Sequence, residues 1–223
     1  MKKNDRKNFA VIGIGSFGLA VAKALIDKGK SVIAIDKDPD RLRELEESNA
    51  SLYLVKDITK KALNETGIKD IDVAIIGIGT NIEASILSTI YCQEIGVGRV
   101  IAKAISEDHA NILERLGAEV VYPEVDEGTR LAMTLASKFA ENILPLSDEF
   151  MILEMIVPEG IANKTILELD TRRRFGVNII AISRNGKTSA NLTPETRIER
   201  GDDIFLCGSN ESLEKLQKEY NKL

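Results

Sequence analysis

The chain of 223 residues is poor in the residues that build metal centres and covalent cross-links. It has one histidine, His109, and two cysteines, Cys92 and Cys207, which stand far apart with no CxxC motif. This content excludes a disulfide framework and gives no support to a zinc site. The chain also lacks GxSxG and GxxxxGK[ST] motifs, which excludes serine-hydrolase and P-loop chemistry.

Long apolar runs are missing as well. No apolar segment approaches the roughly 20 residues that cross a bilayer, and the basic opening residues run into a strand-like segment rather than the apolar core of a signal peptide. We therefore expect a cytoplasmic protein that reaches a membrane only through a partner. The net charge of −5 leaves no excess of lysine and arginine for phosphate contacts, so nucleic acid is not an expected partner.

Hydrophobic residues make up 43% of the chain, which is enough for a core in one large or two small domains. Up to Tyr122, short runs rich in Val, Ile and Ala alternate with amphipathic segments, the pattern of βαβ units on a parallel sheet. The predicted strands are 9–13, 31–36, 51–55, 73–76, 99–102 and 119–122, and the predicted helices are 17–28, 39–48, 60–66, 81–95 and 108–116. We expect a Rossmann-like, doubly wound α/β domain over residues 1–142, closed by a longer helix at 126–142.

A second, smaller α+β domain is expected at 150–223, after a linker at 143–149. Its predicted strands are 150–157, 177–184, 187–192 and 203–208, and its predicted helices are 165–169 and 210–220. Asn185-Gly186 between two apolar runs indicates a hairpin turn.

One motif carries the functional hypothesis. The segment Gly13-Ile14-Gly15-Ser16-Phe17-Gly18 follows a predicted strand and opens a predicted helix, and Asp36 ends the next strand. This is the dinucleotide-binding fingerprint with its structural context. The first glycine permits the tight turn, the second lets phosphates approach the backbone, and the third lets the helix pack closely on the strand.

In that arrangement the N–H groups and the positive dipole end at Ser16 and Phe17 attract an anion. Asp36 accepts a hydrogen bond from a ribose 2′-hydroxyl and repels a 2′-phosphate. ATP, ADP, AMP and NAD(H) remain open as ligands, whereas NADP fits poorly. The plainer alternatives are that these are ordinary turn glycines and that Asp36 caps the helix that begins at Pro39.

A second glycine-rich turn, Gly77-Ile78-Gly79-Thr80-Asn81, follows the fourth predicted strand across the topological switch point, where ligands bind in such folds. Either these residues contact phosphate directly, or Thr80 or Asn81 is the N-cap of the next helix.

The residues of a dehydrogenase are not evident. His109 lies near a helix start and is interpreted as a surface or capping residue, and no tyrosine has a lysine four positions later. We expect a protein that is not an enzyme. The alternative is an NAD(H)-dependent oxidoreductase or redox sensor that acts without a membrane partner.

Several separate segments, in order along the chain, resemble one family: the cytosolic regulatory subunits of Ktr/Trk-type potassium uptake systems, or RCK (KTN) proteins. The segments are 9–18, 75–85, Lys103-Ala104, 116–118, 122–124, 146–149, 165–170 and 175–182. The resemblance covers essentially the whole chain. It implies an RCK N-terminal domain and an RCK C-terminal domain, homodimers within an octameric ring, and docking on a membrane potassium-translocating subunit that is gated by bound ATP or ADP.

The resemblance also implies roles for single residues of the first domain. The three glycines of the fingerprint and Lys103 would hold the phosphates, Asp36 the ribose, and Asp57 with the neighbouring Ile58 the adenine. Glu124 would lie near the dimer interface and hold a divalent cation, Mg²⁺ or Ca²⁺, beside the nucleotide; its plainer interpretation is a routine acidic residue at a helix start.

In the second domain, the resemblance implies that cyclic di-AMP binds between two subunits and inactivates transport. The residues implied are Arg172, Arg173, Phe175, Asn178, Ile179 and Pro194. The plainer alternative for the arginines is a solvated helix C-terminus favoured by the dipole. The chain departs from the family at Ser16, where relatives often have an arginine that reaches the γ-phosphate of ATP. Ser16 has no charge, so the choice among ATP, ADP and NAD(H) stays open.

Overall fold

The computed structural model describes residues 7–137 and 140–220. The chain divides into two compact units, here called unit 1, which ends at Pro123, and unit 2, which begins at Glu124. Each unit has its own buried core.

Unit 1 is a parallel sheet covered by helices, as the sequence predicts. Its strands are β1 (Asn8–Ile12), β2 (Ser31–Asp36), β3 (Ser51–Leu54), β4 (Val73–Ile76), β5 (Arg99–Lys103) and β6 (Glu119–Val121). Its helices are α1 (Ser16–Asp27), α2 (Pro39–Arg43), α3 (Lys60–Glu65), α4 (Ile82–Ile95) and α5 (Glu107–Arg115), with a 3-10 turn at Ile68–Asp70. The predicted helix 39–48 ends early, at Arg43, and continues as turns.

The six strands are parallel and lie in the order β3-β2-β1-β4-β5-β6. The chain moves outward from β1 in one direction and then in the other, so the switch point lies between β1 and β4. Alternate residues of β1 face opposite cores: Ala10 and Ile12 pack in one, and Val11 packs in the other. Burial on both faces explains why these strands are continuous apolar runs.

Unit 2 joins a long helix to an antiparallel sheet. Its helices are α6 (Pro123–Ala136), which begins at the last residue of unit 1, α7 (Ile166–Leu169), α8 (Thr171–Phe175) and α9 (Asn210–Tyr220). Its strands are β7 (Ala140–Pro145), β8 (Phe150–Ile156), β9 (Asn178–Arg184), β10 (Lys187–Ser189) and β11 (Asp203–Ser209), in the order β10-β9-β11-β8-β7.

The structure differs from the sequence prediction between residues 126 and 149. The expected helix 126–142, of which residues 138 and 139 lie outside the described residues, ends at Ala136, and the expected linker 143–149 contains the end of β7. Pairing of Ile143 with Leu153 buries both side chains and forms a hairpin between β7 and β8. This strand pairing overrides the helical propensity of Ala140 and Glu141. Along the chain, the division between the two compact units falls after Pro123.

The hairpin predicted at Asn185-Gly186 is present between β9 and β10. Both residues have positive φ, 52° and 73°, which a two-residue turn of type I′ requires. Strand β10 is shorter than predicted and ends at Ser189.

In unit 2, an ion pair links Arg184 at the end of β9 to the buried carboxylate of Asp202, just before β11. The Arg184 guanidinium donates from Nε and Nη2 to the two carboxylate oxygens of Asp202, at 2.8 and 2.7 Å. Its Nη1 donates to Glu199 at 2.7 Å, and the Glu199 backbone N–H donates to Asp202. Burial acts to raise the pKa of Asp202, but the hydrogen bonds from Arg184 and Glu199 hold that pKa below its ordinary value.

In the part of the chain that the structure describes, no helix has both the length and the apolar character needed to cross a membrane.

Candidate nucleotide-binding site

The first glycine turn, Gly13 to Gly18, connects β1 to α1 at the carboxyl edge of the sheet. Gly13 has a φ of +92°, in the left-handed region that disfavours side chains. A Cβ atom at Gly13 would also lie 2.7 Å from Cγ1 of Ile78, which belongs to the second turn. Its N–H donates to the carbonyl of Ile35 in β2 at 2.8 Å. The turn is therefore held against both neighbouring strands.

The other two glycines of this turn have different surroundings. A Cβ atom at Gly18 would overlap the backbone oxygen of Gly13 and lie 3.1 Å from its carbonyl carbon, so only glycine fits there. At Gly15, the nearest atom to a Cβ is Nη1 of Arg41, 3.8 Å away. Gly18 is thus required for helix packing, as the fingerprint predicts. A Cβ atom at Gly15 would instead be at ordinary contact distance from the guanidinium of Arg41.

Helix α1 begins without a side-chain cap. Its N-cap, Gly15, makes no side-chain hydrogen bond, and its first turn contains no acidic residue. The other four helices of unit 1 are each capped by a side chain that accepts a backbone N–H: Asp38, Thr59, Asn81 and Ser106. The N–H groups at Ser16 and Phe17 therefore begin a helix that has neither a side-chain cap nor an acidic residue in its first turn, so its positive end can attract an anion.

Asp36 is buried at the end of β2 and fastens the first glycine turn. Its Oδ2 accepts the N–H of Ile14 at 2.6 Å, and its Oδ1 accepts the N–H of Asp38 at 2.9 Å. The alternative that Asp36 caps α2 is wrong, because the cap is Asp38, whose Oδ1 accepts the N–H of Asp40 at 3.0 Å. Each oxygen of Asp36 keeps a second lone pair, so the carboxylate can still accept a ribose hydroxyl.

The second glycine turn lies beside the first. A Cβ atom at Gly77 would be 2.7 Å from the oxygen of Gly13, so the two turns touch through their backbones at the switch point. Asn81 is the N-cap of α4, with its Oδ1 accepting the N–H of Ala84 at 3.0 Å. Thr80 is exposed and precedes this cap. The capping interpretation is therefore confirmed for Asn81.

Lys103 reaches the second turn from the end of β5. A Cβ atom at Gly79 would lie 3.4 Å from both Cε and Nζ of Lys103. The ammonium group is therefore close to the backbone of the loop where phosphate was expected.

Asp57 and Ile58 lie in the loop between β3 and α3. The loop is joined to β2 by the hydrogen bond from the Val55 N–H to the Asp36 carbonyl at 2.9 Å. Asp57 is exposed, and Ile58 packs partly against the core of unit 1. They follow the strand next to β2, on the same edge of the sheet as the glycine turns.

Two domain families match this chain. Residues 9–123 match the TrkA-N domain, and residues 152–221 match the TrkA-C domain. The chain belongs to the TrkA-N/TrkA-C family of RCK proteins. The Ktr system potassium uptake protein C of Bacillus subtilis is 33% identical to it over 96% of this chain and 97% of that protein. The Ktr system potassium uptake protein A of Vibrio alginolyticus is also 33% identical, with the same coverage.

The fold of this RCK chain agrees with solved structures. A structure described as the GsuK channel bound to NAD has a TM-score of 0.65 at 18% identity, covering 96% of this chain. The matched region is 39% of that channel chain, so this chain spans well under half its length. The match shows the shared fold.

In this RCK protein, Glu124 is exposed in the first turn of α6. Among residues 7–137 and 140–220, no three or more His, Cys, Asp or Glu side chains are grouped so that they could hold a metal ion. A cation at Glu124 would thus need ligands from elsewhere, such as a nucleotide or a second subunit.

The residues expected to bind a second ligand lie on two segments of unit 2. Arg172, Arg173 and Phe175 belong to α8, and Asn178 and Ile179 begin β9. Pro194 lies on a separate loop, where its carbonyl accepts the N–H of Leu167 in α7 at 2.9 Å.

Two side chains of this α8 region already have intramolecular contacts. Phe175 packs edge-on against Tyr220, with ring centroids 6.1 Å apart. Arg173 pairs with Asp170 at 2.7 Å through an exposed contact. Phe175 therefore belongs to the core of unit 2, and the arginines remain at the surface.

The interpretation of His109 as a surface or capping residue is wrong. The residue is 2% exposed on the inner side of α5, and the helix is capped by Ser106, whose Oγ accepts the His109 backbone N–H at 3.2 Å. Neither ring nitrogen has a hydrogen-bond partner among the described residues. Burial lowers the pKa of His109, because the charged ring would lose its hydration.

Acidification should therefore weaken the fold through this one side chain. The pKa of His109 is lower in the folded chain than the unfolded value of about 6.5. As the pH falls through that value, the unfolded state takes up the proton first and is stabilised relative to the folded state. We expect the midpoint of urea unfolding to fall between pH 7 and pH 5.5 and His109→Leu to remove most of this change. Because the chain has no other histidine, an unchanged pH dependence in the variant would contradict the assignment.

Proposed function

We propose that this chain is the cytosolic gating subunit of a Ktr/Trk-type potassium uptake system, held at the inner face of the membrane by a potassium-translocating subunit. The relationship to two Ktr system potassium uptake proteins, over 96% of the chain in each case, supports the proposal. So does the order of a TrkA-N domain followed by a TrkA-C domain. In this role the protein binds ligands and changes the state of its partner without being an enzyme.

The proposed regulator is an adenine nucleotide in unit 1, ATP or ADP, with NAD(H) as the alternative. The observation that carries this proposal is the uncapped start of α1 beside the buried carboxylate of Asp36, with the half-exposed side chain of Arg41 nearest to the Cβ position of Gly15. Phosphates would accept the N–H groups at Ser16 and Phe17, and the ribose would donate to Asp36.

The remaining contacts of the nucleotide are proposed from position. The second glycine turn and Lys103 would face the phosphates, and Asp57 and Ile58 the adenine. Glu124 would bind Mg²⁺ or Ca²⁺ together with the nucleotide at a dimer interface. A structure of the same fold is described as bound to NAD, which supports keeping the dinucleotide as a candidate.

Gating would depend on assembly. We propose homodimers that form an octameric ring, whose shape changes with the bound nucleotide and moves the membrane partner. To shift such a ring almost completely between two shapes, the nucleotide must prefer one shape by roughly 5 kcal/mol. In unit 2, cyclic di-AMP is the proposed second ligand, bound through the exposed Arg172 and Arg173 together with the partly buried Phe175 and with Asn178, Ile179 and Pro194.

The experiment that tests the proposal is calorimetric titration of the purified protein with ATP, ADP, NADH and cyclic di-AMP, with the mass in solution measured in parallel. Micromolar affinity of an octamer for ATP or ADP is expected. Tight binding of NADH to a monomer or dimer, with turnover in the absence of a membrane partner, would instead favour the oxidoreductase or redox sensor.

Asp36→Ala should weaken ADP binding at least tenfold, because the ribose loses a charged hydrogen-bond acceptor. It should also lower the free energy of unfolding by about 2 kcal/mol, because the buried N–H of Ile14 loses its acceptor. Asp38→Ala is the matched control: it removes a neighbouring carboxylate and a helix cap, at a cost of about 1 kcal/mol, without touching the ribose position. Titration and urea unfolding measure both effects, and equal ADP affinity in wild type and Asp36→Ala would rule out the ribose role.

A further inference from the structure

The guanidinium of Arg41 lies over the first glycine turn. Its Nη1 is 3.8 Å from the position that a Cβ atom of Gly15 would occupy. Apart from Gly15 and its two chain neighbours, no other atom of the described residues lies within 4 Å of that position. The same nitrogen is 3.7 Å from Oδ2 of Asp36, the buried carboxylate at the end of β2. The guanidinium group therefore lies beside the backbone of Gly15 and beside the carboxylate of Asp36, the proposed ribose acceptor.

The contacts of Arg41 are long. Its two ion pairs, Nη1 with Asp36 at 3.7 Å and Nε with Asp38 at 3.8 Å, exceed hydrogen-bond distance. Among the described residues, no hydrogen bond uses a side-chain nitrogen of Arg41. The side chain is half exposed, and such pairs contribute little to stability. The guanidinium donors thus remain available for another acceptor.

Arg43, on the same short helix, shows the contrast. Its Nη1 donates to Oδ1 of Asp40 at 2.6 Å, and its side chain is exposed on the surface of α2. Both arginines have the same charge and lie two positions apart. Only Arg41 lies beside the glycine turn.

A phosphate at the start of α1 needs cationic balance that the turn itself does not supply. Ser16 has no charge, and the two carboxylates of Asp36 and Asp38 repel an anion. A guanidinium offers several donors in one plane, which suits the oxygens of a phosphate. Its position over Gly15 brings those donors to the face of the turn where the backbone N–H groups of α1 start.

We infer that Arg41 is a ligand-contacting residue that binds a phosphate group of the nucleotide and gives the site its preference for phosphorylated ligands over the nucleoside. This inference rests on the proposed nucleotide site of unit 1. Arg41 replaces its weak ion pairs with Asp36 and Asp38 by charged hydrogen bonds to the phosphate, and Asp36 accepts a hydrogen bond from the ribose hydroxyl.

The test is calorimetric titration of wild type, Arg41→Ala and Arg43→Ala with ADP and with adenosine. Arg41→Ala should lose about tenfold in affinity for ADP and keep the wild-type affinity for adenosine, whereas Arg43→Ala should match the wild type with both ligands. Urea unfolding of the three proteins should agree closely, which separates the effect from a loss of fold.

The outcomes distinguish this inference from the proposal beneath it. If wild type binds ADP and Arg41→Ala binds it equally well, Arg41 has no phosphate contact and the inference fails while the nucleotide site stands. If wild type binds neither ADP nor adenosine, the nucleotide site itself fails. An equal loss for ADP and adenosine would assign Arg41 to the nucleoside and overturn the phosphate role. Arg41→Lys should recover part of the ADP affinity, because it keeps the charge and loses the planar donors.

Discussion

Gly18→Ala should destabilise unit 1 by at least about 3 kcal/mol and abolish nucleotide binding. The added Cβ atom would overlap the backbone oxygen of Gly13 and lie 3.3 Å from Cγ1 of Val11 in β1. Neither the carbonyl nor the central strand can move without disturbing the core. Urea unfolding followed by circular dichroism measures the loss of stability, and titration with ADP measures the loss of binding.

Gly15→Ala is the matched substitution in the same turn. Gly15 has a φ of −78°, and a Cβ atom there would lie 3.8 Å from Nη1 of Arg41, an ordinary contact distance. Alanine therefore fits, and stability should stay within about 1 kcal/mol of the wild type. The methyl group nevertheless stands where phosphates approach the backbone, so affinity for ADP should fall. A stable Gly18→Ala protein would contradict the packing argument, and full binding by Gly15→Ala would contradict the placement of the phosphates.

Arg184→Met should cost unit 2 about 3 kcal/mol at neutral pH, because it leaves the carboxylate of Asp202 buried without its guanidinium partner. Arg200→Met is the control. Arg200 pairs with Glu159 at 3.3 Å, and both side chains are well exposed, so less than about 1 kcal/mol is expected. Thermal and urea unfolding of the two variants at pH 7 measure the difference.

Titration of Asp202 should change the stability of the wild type and of Arg184→Met in opposite directions. In the wild type the pKa of Asp202 lies below its ordinary value, so the stabilisation is present above about pH 4 and is lost as the pH falls through the folded-state pKa. In Arg184→Met, burial remains and the pKa of Asp202 should rise, so the variant loses stability as the pH rises above about 4. The gap between the proteins should therefore narrow on acidification, and a gap independent of pH would contradict the role of the carboxylate.

The elements of unit 1 could be predicted from the sequence because each one is specified locally. Strands such as Val73–Ile76 are short apolar runs, and the following helices end at glycines such as Gly96, whose positive φ ends α4. The fingerprint at Gly13 to Gly18 also combines strand, turn and helix signals in one short segment. Local signals of this kind need no knowledge of distant residues.

The errors have the opposite origin. Strand β7 contains Ala140, Glu141 and Asn142 and has no strand signal of its own; it forms because Ile143 pairs with Leu153 and becomes buried. Helix α8 is too short for a periodic pattern. Both elements depend on partners that a single sequence does not identify.

For the candidate site, the sequence motif identified the glycines and Asp36 as candidates, but it gave no signal for Arg41, the residue that we infer from the structure. Asp36 could be predicted because it belongs to a known motif. Its hydrogen bond from the Ile14 N–H could not be predicted, because that contact depends on how the turn folds. Arg41 is an ordinary basic residue on an amphipathic helix in the sequence, and only the geometry places it over Gly15. The Asp38-Pro39 pair did offer a signal for the true cap of α2, since a capping residue before a proline marks a helix start.

The central position of β1 also affects how the protein folds during synthesis. Phe9 pairs with Val32 in β2 and with Val73 in β4. Strand β1 therefore cannot complete its pairing until these residues, which are synthesised later, have left the ribosome. Pairings between residues so distant in the chain form slowly, and until then the apolar strand has one uncovered edge. We therefore expect the nascent chain to depend on chaperones until α4 has emerged. The hairpin at Asn185-Gly186, in contrast, should close in a time on the order of microseconds, as is typical of β-hairpins.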